Sequence, residues 1–281
     1  MNFEYNSNES LEGSEEKEIG NFGIDKNVEE SIIEKMNNGF DERAIAIAKE
    51  NNISEETLKE IAKQDIFNNF NKRNHKDTLL KIKAYQIDQS LLSDERFVEL
   101  GKERVVLKLS QGDVAGAYEA LKDLNIDENF LDTEEAKKGA EDGVQTVLSI
   151  DDTEKALKIQ RAFNIDDEFI ADAVKVEIKI RFTEDLVVGA ISLQKKFNIP
   201  QNFMEEIVKE EVLSRLSFGN SFNNIAGFIE KLEMDISFLN DKKVKEALKL
   251  RIDNLGENKG GEAIPDIFKN LITEEGIGEN V

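Results

Sequence analysis

Residues 152–181 read DTEKALKIQRAFNIDDEFIADAVKVEIKIR, and their pattern predicts two helices joined by a short turn. The turn is Asn164-Ile165-Asp166. Asn tolerates the left-handed backbone conformation that ends a helix, and Asp is a preferred cap for the helix that follows. The Ile between them is expected to pack in the corner between the two helices. The stretch therefore predicts a helical hairpin.

The same turn recurs along the chain, which makes the hairpin a repeat. Its central isoleucines are Ile53, Ile87, Ile126, Ile165, Ile199 and Ile236, at spacings of 34, 39, 39, 34 and 37 residues. Two residues before the isoleucine the side chain is large and apolar at Tyr85, Leu124, Phe163, Phe197 and Met234, and Asn51 is the exception. Four residues after it stand Leu91, Phe130, Phe169 and Phe203. Such columns indicate helices that pack closely.

These observations predict an all-α chain, namely an α-solenoid of about six helix-turn-helix repeats of 34–39 residues. A single hairpin cannot bury its apolar faces alone, so neighbouring hairpins are expected to stack. We expect a disordered acidic tail at 1–24, an N-terminal capping helix at 25–39, the α-hairpin repeats at 40–255, and a C-terminal capping helix and tail at 256–281.

One copy of the repeat resembles a known class. The run Gly112-Asp113-Val114-Ala115-Gly116-Ala117, followed by Leu121 and the turn Asn125-Ile126-Asp127, looks like the end of a pentatricopeptide unit. More broadly, residues 40–255 resemble the tetratricopeptide and pentatricopeptide class of α-hairpin repeats in their periodicity. The resemblance implies a stacked helical-repeat fold. It assigns no residue to a peptide clamp or to an RNA-reading code, because the chain lacks Trp and the tetratricopeptide signature, and because its spacings of 34–39 residues depart from the strict unit of either family.

The amino-acid composition excludes several kinds of site and indicates where the protein is expected to be found. The chain has 281 residues, no Cys and a formal net charge of −22. The absence of Cys excludes disulfides and thiolate metal sites. No segment approaches the run of about 20 apolar residues that spans a bilayer. We expect a cytoplasmic protein that holds no cofactor and no metal ion and does not bind a membrane.

A basic column stands four residues before the turn isoleucine: Lys49, Lys83, Lys122, Arg161 and Lys195. One interpretation is a binding stripe for an acidic peptide or a phosphate backbone. The other is that each side chain covers apolar surface, pairs with a nearby carboxylate and complements the C-terminus of its helix. The sequence leaves both interpretations open.

Other candidate chemistry has a simpler explanation. His75 is the only histidine and lies among Lys72, Arg73 and Lys76, so we expect a solvated side chain in a surface turn. No positioned nucleophile accompanies it. Paired carboxylates such as Asp166-Asp167 stand at predicted helix starts, where they cap the helix and favour its dipole. We therefore predict no catalytic residue.

The fold favours a non-enzymatic scaffold that binds a protein or peptide partner on the concave face of the solenoid. An RNA-binding, pentatricopeptide-like protein using the basic column is the first alternative, although a net charge of −22 repels nucleic acid. A carboxylate-based hydrolase is the second alternative. We expect neither a nucleic acid nor a membrane as partner, and the sequence leaves the oligomeric state open.

Overall fold

In the computed structural model, which describes residues 23–232, 237–257 and 264–273, the chain is all-helical and these residues contain no strand. The α-helices are α1 Lys26–Asn37, α2 Asp41–Glu50, α3 Glu55–Asn69, α4 His75–Ala84, α5 Glu95–Ser110, α6 Val114–Asp123, α7 Glu134–Ser149, α8 Thr153–Ala162, α9 Asp167–Thr183, α10 Val187–Lys196, α11 Gln201–Ser217, α12 Phe222–Glu230, α13 Lys242–Glu257 and α14 Asp266–Thr273. Residues 1–22 of the predicted tail, the sixth turn at 235–236 and residues 274–281 lie outside the described residues.

The chain divides into two compact units. The first comprises Met1–Arg104 and Tyr118–Asp127, and the second comprises Val105–Ala117 and Glu128–Val281. In the first unit α1 packs against α2 and α3, and α3 packs against α4. In the second unit α7 contacts α9, α9 contacts α11, and α11 contacts α13, while α8 packs on α7 and α10 packs on α9. Helices that are close in sequence are therefore also neighbours in space within each unit.

The predicted turn geometry is confirmed in five copies. Positive φ angles occur at Asn52 (55°), Gln86 (51°), Asn125 (55°), Asn164 (48°) and Asn198 (51°). The isoleucines that follow the last four are 4–6% exposed, whereas Ile53 is only half-buried. The capping role is met in part: Ser54 and Asp88 accept backbone hydrogen bonds at the next helix start. Asp166 also occupies the N-cap position, at the start of α9, but its side chain makes no capping hydrogen bond.

Short 3-10 helices explain the two repeat lengths. The segments Gln89–Ser93 and Glu128–Asp132 are five-residue 3-10 helices, and each lies within one of the two 39-residue spacings. The two 34-residue spacings contain no 3-10 helix of that length. Leu91 and Phe130 lie in these inserts and are buried there. The five extra residues therefore form a short segment between two α-helices, and one apolar side chain of each segment is buried.

The second unit has one continuous apolar core. It extends from Ala140 on α7 to Phe268 on α14. Phe182 and Phe228 meet edge to face within it, with ring centroids 5.8 Å apart, a favoured aromatic geometry. No helix among the described residues has the length and apolar character needed to cross a bilayer.

Candidate functional site

The five side chains of the basic column are all exposed. Lys49, Lys83 and Lys122 lie near the C-terminal ends of α2, α4 and α6, within the first unit. Arg161 and Lys195 occupy the same place on α8 and α10, within the second unit. Among the described residues, none of the five has a carboxylate oxygen within 4.0 Å. The carboxylate pairing in the second interpretation is therefore absent from this part of the chain, whereas all five side chains do lie in the last turn of their helices, where a cation favours the helix dipole.

Other polar side chains join successive hairpins next to the basic column. In the first unit the hydroxyl of Tyr85 donates to Asp41 over 2.9 Å. Burial, followed by this hydrogen bond, raises the pKa of Tyr85 above its usual range. In the second unit Lys231 donates to Asp185 over 2.7 Å, and this hydrogen bond lowers the pKa of Asp185. Neither of these two hydrogen bonds involves a residue of the basic column.

In the second unit, a buried arginine network joins the second helix of each hairpin to the second helix of the hairpin before it. The Arg181 guanidinium donates from Nε to Glu177, over 2.9 Å, and from one terminal nitrogen to Asp151, over 3.0 Å. Its other terminal nitrogen donates to the Leu148 carbonyl at the end of α7, over 3.0 Å. Side chains of Arg181 and Glu177 are only 7% and 10% exposed. The cation thus adds a second hydrogen bond to a carbonyl at the end of α7 that already accepts from the backbone N–H of Asp151, and its charge favours the helix dipole there.

The next repeat has the same network. Arg215 donates to Glu211 over 2.7 Å, to Asp185 over 3.3 Å and to the Phe182 carbonyl over 2.8 Å. Sequence reasoning missed these arginines. A signal was present, because Glu-x-x-x-Arg occurs at 177–181 and again at 211–215, a spacing of 34 residues that matches the repeat. One buried pair and one largely buried pair at the repeat distance indicate a structural role.

Arg251 on α13 makes a reduced version of this contact. It donates to the Gly219 carbonyl over 2.8 Å, but its buried Nε has no hydrogen-bond partner. The residue four positions earlier, which is Glu in the two preceding repeats, is Ala247 here. The missing carboxylate therefore accounts for the unsatisfied nitrogen.

The arginine network also lines a cleft of about 490 Å³ in the second unit. Its carboxylates include Asp151 and Glu177, which Arg181 binds, and Asp185, which Arg215 and Lys231 bind. Ion pairs that tie helix ends together explain why these carboxylates lie here. Within the described residues, no cluster of three or more His, Asp or Glu side chains is arranged to hold a metal ion.

His75 is buried, so the prediction of a solvated histidine is wrong. Its side chain is 3% exposed, and Nε2 lies 3.3 Å from the Asp123 carboxylate at the end of α6. Neither ring nitrogen makes a hydrogen bond. The adjacent Lys76 pairs with Glu119 over 2.6 Å. The Asp123 carboxylate at the end of α6 thus lies beside the buried imidazole, a contact that the local Lys-rich sequence does not reveal.

Comparison with known proteins gives no family for this chain. No protein-family model matches it, and no curated protein and no solved structure is significantly similar to it.

Proposed function

We propose that the chain is a helical-repeat scaffold, with about six hairpins stacked as an α-solenoid, that binds a protein or peptide partner through the basic column. The observation that carries the proposal is the state of the column: five exposed cations at one register, with no carboxylate within 4.0 Å among the described residues. In a chain of net charge −22, cations without internal partners attract acidic groups of another molecule.

A protein is favoured over RNA as the partner. The net charge of −22 repels a phosphate backbone at long range, and binding would then depend steeply on salt concentration. An acidic protein segment carries less charge per length and adds apolar contacts, which salt does not screen.

Charge reversal tests the proposal. The variant Lys83→Glu, Lys122→Glu, Arg161→Glu and Lys195→Glu should lose the partner that the wild-type chain captures from cell extract. Its melting temperature should fall only slightly, because none of these side chains has an ion-pair partner among the described residues and each loses only its favourable place in the last turn of its helix.

A matched control changes the net charge equally. Lys72, Lys138, Lys243 and Lys249 are exposed, have no ion pair within the described residues and lie outside the basic column. Reversing these four to Glu should leave capture intact. Equal loss of capture in both variants would show that only overall charge matters, and loss of the helical fold in the first variant alone would mean that the column is structural.

A further inference from the structure

The first repeat contains a cleft at a place where its sequence departs from the pattern of the other repeats. It lies in the first unit, between α2, the start of α3 and the end of α4, and has a volume of about 250 Å³. Ile45, Ala48, Ile53 and Leu58 form its apolar lining. We call it the first-repeat cleft.

Two departures from the repeat pattern coincide with the cleft. Two residues before the turn isoleucine, the next four repeats have Tyr, Leu or Phe, and the first repeat has Asn51. Four residues after it, they have Leu or Phe, and the first repeat has Thr57. The Asn51 amide donates to the Ile47 carbonyl of its own helix, so it is held there. With two large apolar side chains missing from the pattern, Ile53 stays half-buried while the corresponding isoleucines are buried.

Two lysines stand beside this apolar lining. Lys49 is exposed, Lys59 is half-buried, and both line the cleft. Neither has a carboxylate within 4.0 Å in the described part of the chain. Glu55 also lines the cleft, but it lies in the first turn of α3, where a negative charge favours the helix dipole. Apolar lining and unpaired cations together are complementary to a group that is apolar in its body and anionic at its edges.

One wall of the cleft is fixed in place. Tyr85 lines the cleft, is 4% exposed, and its hydroxyl is already bonded to Asp41. The aliphatic lining and the buried tyrosine offer no exposed aromatic face on which a nucleic-acid base would stack. The chemistry of the cleft therefore favours a peptide over RNA.

We propose that the first-repeat cleft binds an acidic peptide segment of a protein partner, by taking up one large apolar side chain while flanking carboxylates pair with Lys49 and Lys59. This inference rests on the proposed function that the chain binds a protein, and it names the chemistry of that partner. A volume of about 250 Å³ accommodates one side chain of the size of Leu or Phe.

A defined probe tests the inference. The probe is a short fluorescein-labelled peptide of Asp, Glu and Gly with one central Leu, and binding is measured by fluorescence anisotropy with the full chain. Replacing the central Leu by Gly should weaken binding roughly tenfold or more, because an apolar side chain in a fitted pocket supplies that much discrimination. Replacing Asp and Glu by Asn and Gln should also weaken it, because the pairs with the lysines are lost.

Two variants locate the binding in the cleft. Ala84→Phe fills the cleft from an exposed position at the end of α4 without changing the charge. We expect it to weaken peptide binding roughly tenfold. Ala162→Phe is the matched control, because Ala162 is the exposed last residue of α8 and should leave binding unchanged. Lys49→Glu with Lys59→Glu should abolish binding while the circular dichroism spectrum stays helical.

Three results would overturn the inference: no binding of the peptide to the wild-type chain, equal binding of the Leu and Gly peptides, or unchanged binding to Ala84→Phe. Displacement of the peptide by a single-stranded RNA would also overturn it. If one of these results is obtained while reversal of Lys122, Arg161 and Lys195 still abolishes capture of a cellular protein, the cleft inference falls and the proposed function stands. If that reversal has no effect on capture, the proposed function falls as well.

Discussion

Replacing Arg181 by Leu should destabilise the chain by about 4 kcal/mol, because it leaves Glu177 buried without its cation. Arg181 Nε and the Glu177 carboxylate are 2.9 Å apart, and neither side chain is more than 10% exposed. Breaking a buried pair by removing one partner costs about 3–5 kcal/mol. The bond to the Leu148 carbonyl is lost too, whereas the pair with Asp151, which is 67% exposed, contributes little.

Removing both charges should cost less than removing one. In the double variant Glu177→Leu and Arg181→Leu no buried charge remains, and apolar replacement of a buried pair is often neutral or better. The double variant still lacks the hydrogen bond to the Leu148 carbonyl, so we expect its unfolding free energy to be about 1–2 kcal/mol lower than that of the wild type. The double variant should thus be about 2 kcal/mol more stable than Arg181→Leu alone.

Thermal unfolding followed by far-ultraviolet circular dichroism measures the difference. At about 2–4 °C per kcal/mol for a chain of this size, Arg181→Leu should lower the melting temperature by about 10 °C. Arg161→Leu is the control, since Arg161 is exposed and should change stability by less than about 0.5 kcal/mol. A double variant as unstable as Arg181→Leu would refute the argument that the unpaired carboxylate is the source of the cost.

Three further predictions concern single positions in the second unit. A Cβ at Gly143 would overlap the backbone carbonyl of Leu109, whereas a Cβ at Gly227 would meet nothing within 4 Å. Gly143→Ala should therefore lower the melting temperature by several degrees, and Gly227→Ala should raise it through helix propensity, by up to about 1 kcal/mol in stability. Ala247→Glu should give the Arg251 Nε the carboxylate that it lacks and raise the melting temperature by about 2–4 °C; no gain on calorimetric measurement would contradict the account of that unsatisfied nitrogen.

Backbone preferences made the hairpin turns predictable from the sequence. The left-handed conformation at Asn125, Asn164 and Asn198 follows from the side chain of the residue itself, so it needs no knowledge of the rest of the fold. The five-residue 3-10 inserts were not predicted, because their apolar Leu91 and Phe130 fit a repeat column equally well in either helix type.

Contacts between distant residues were not predictable in the same way. The bond from Arg181 to Asp151 joins residues 30 positions apart, and which residues meet at that distance depends on how neighbouring helices pack. The contact of His75 has the same character, because its Nε2 lies beside the Asp123 carboxylate, 48 residues further along the chain. In the candidate site, the sequence located the basic column, but its exposure and its lack of internal partners required the structure.

Capture from extract of the source cell, with and without ribonuclease, tests the central claim that the chain binds a protein. We predict that the tagged wild-type chain retains a discrete protein after ribonuclease treatment and that the variant with Lys83, Lys122, Arg161 and Lys195 reversed to Glu does not. Recovery of RNA above background, lost at moderate salt, would contradict the claim and make the basic column a nucleic-acid site.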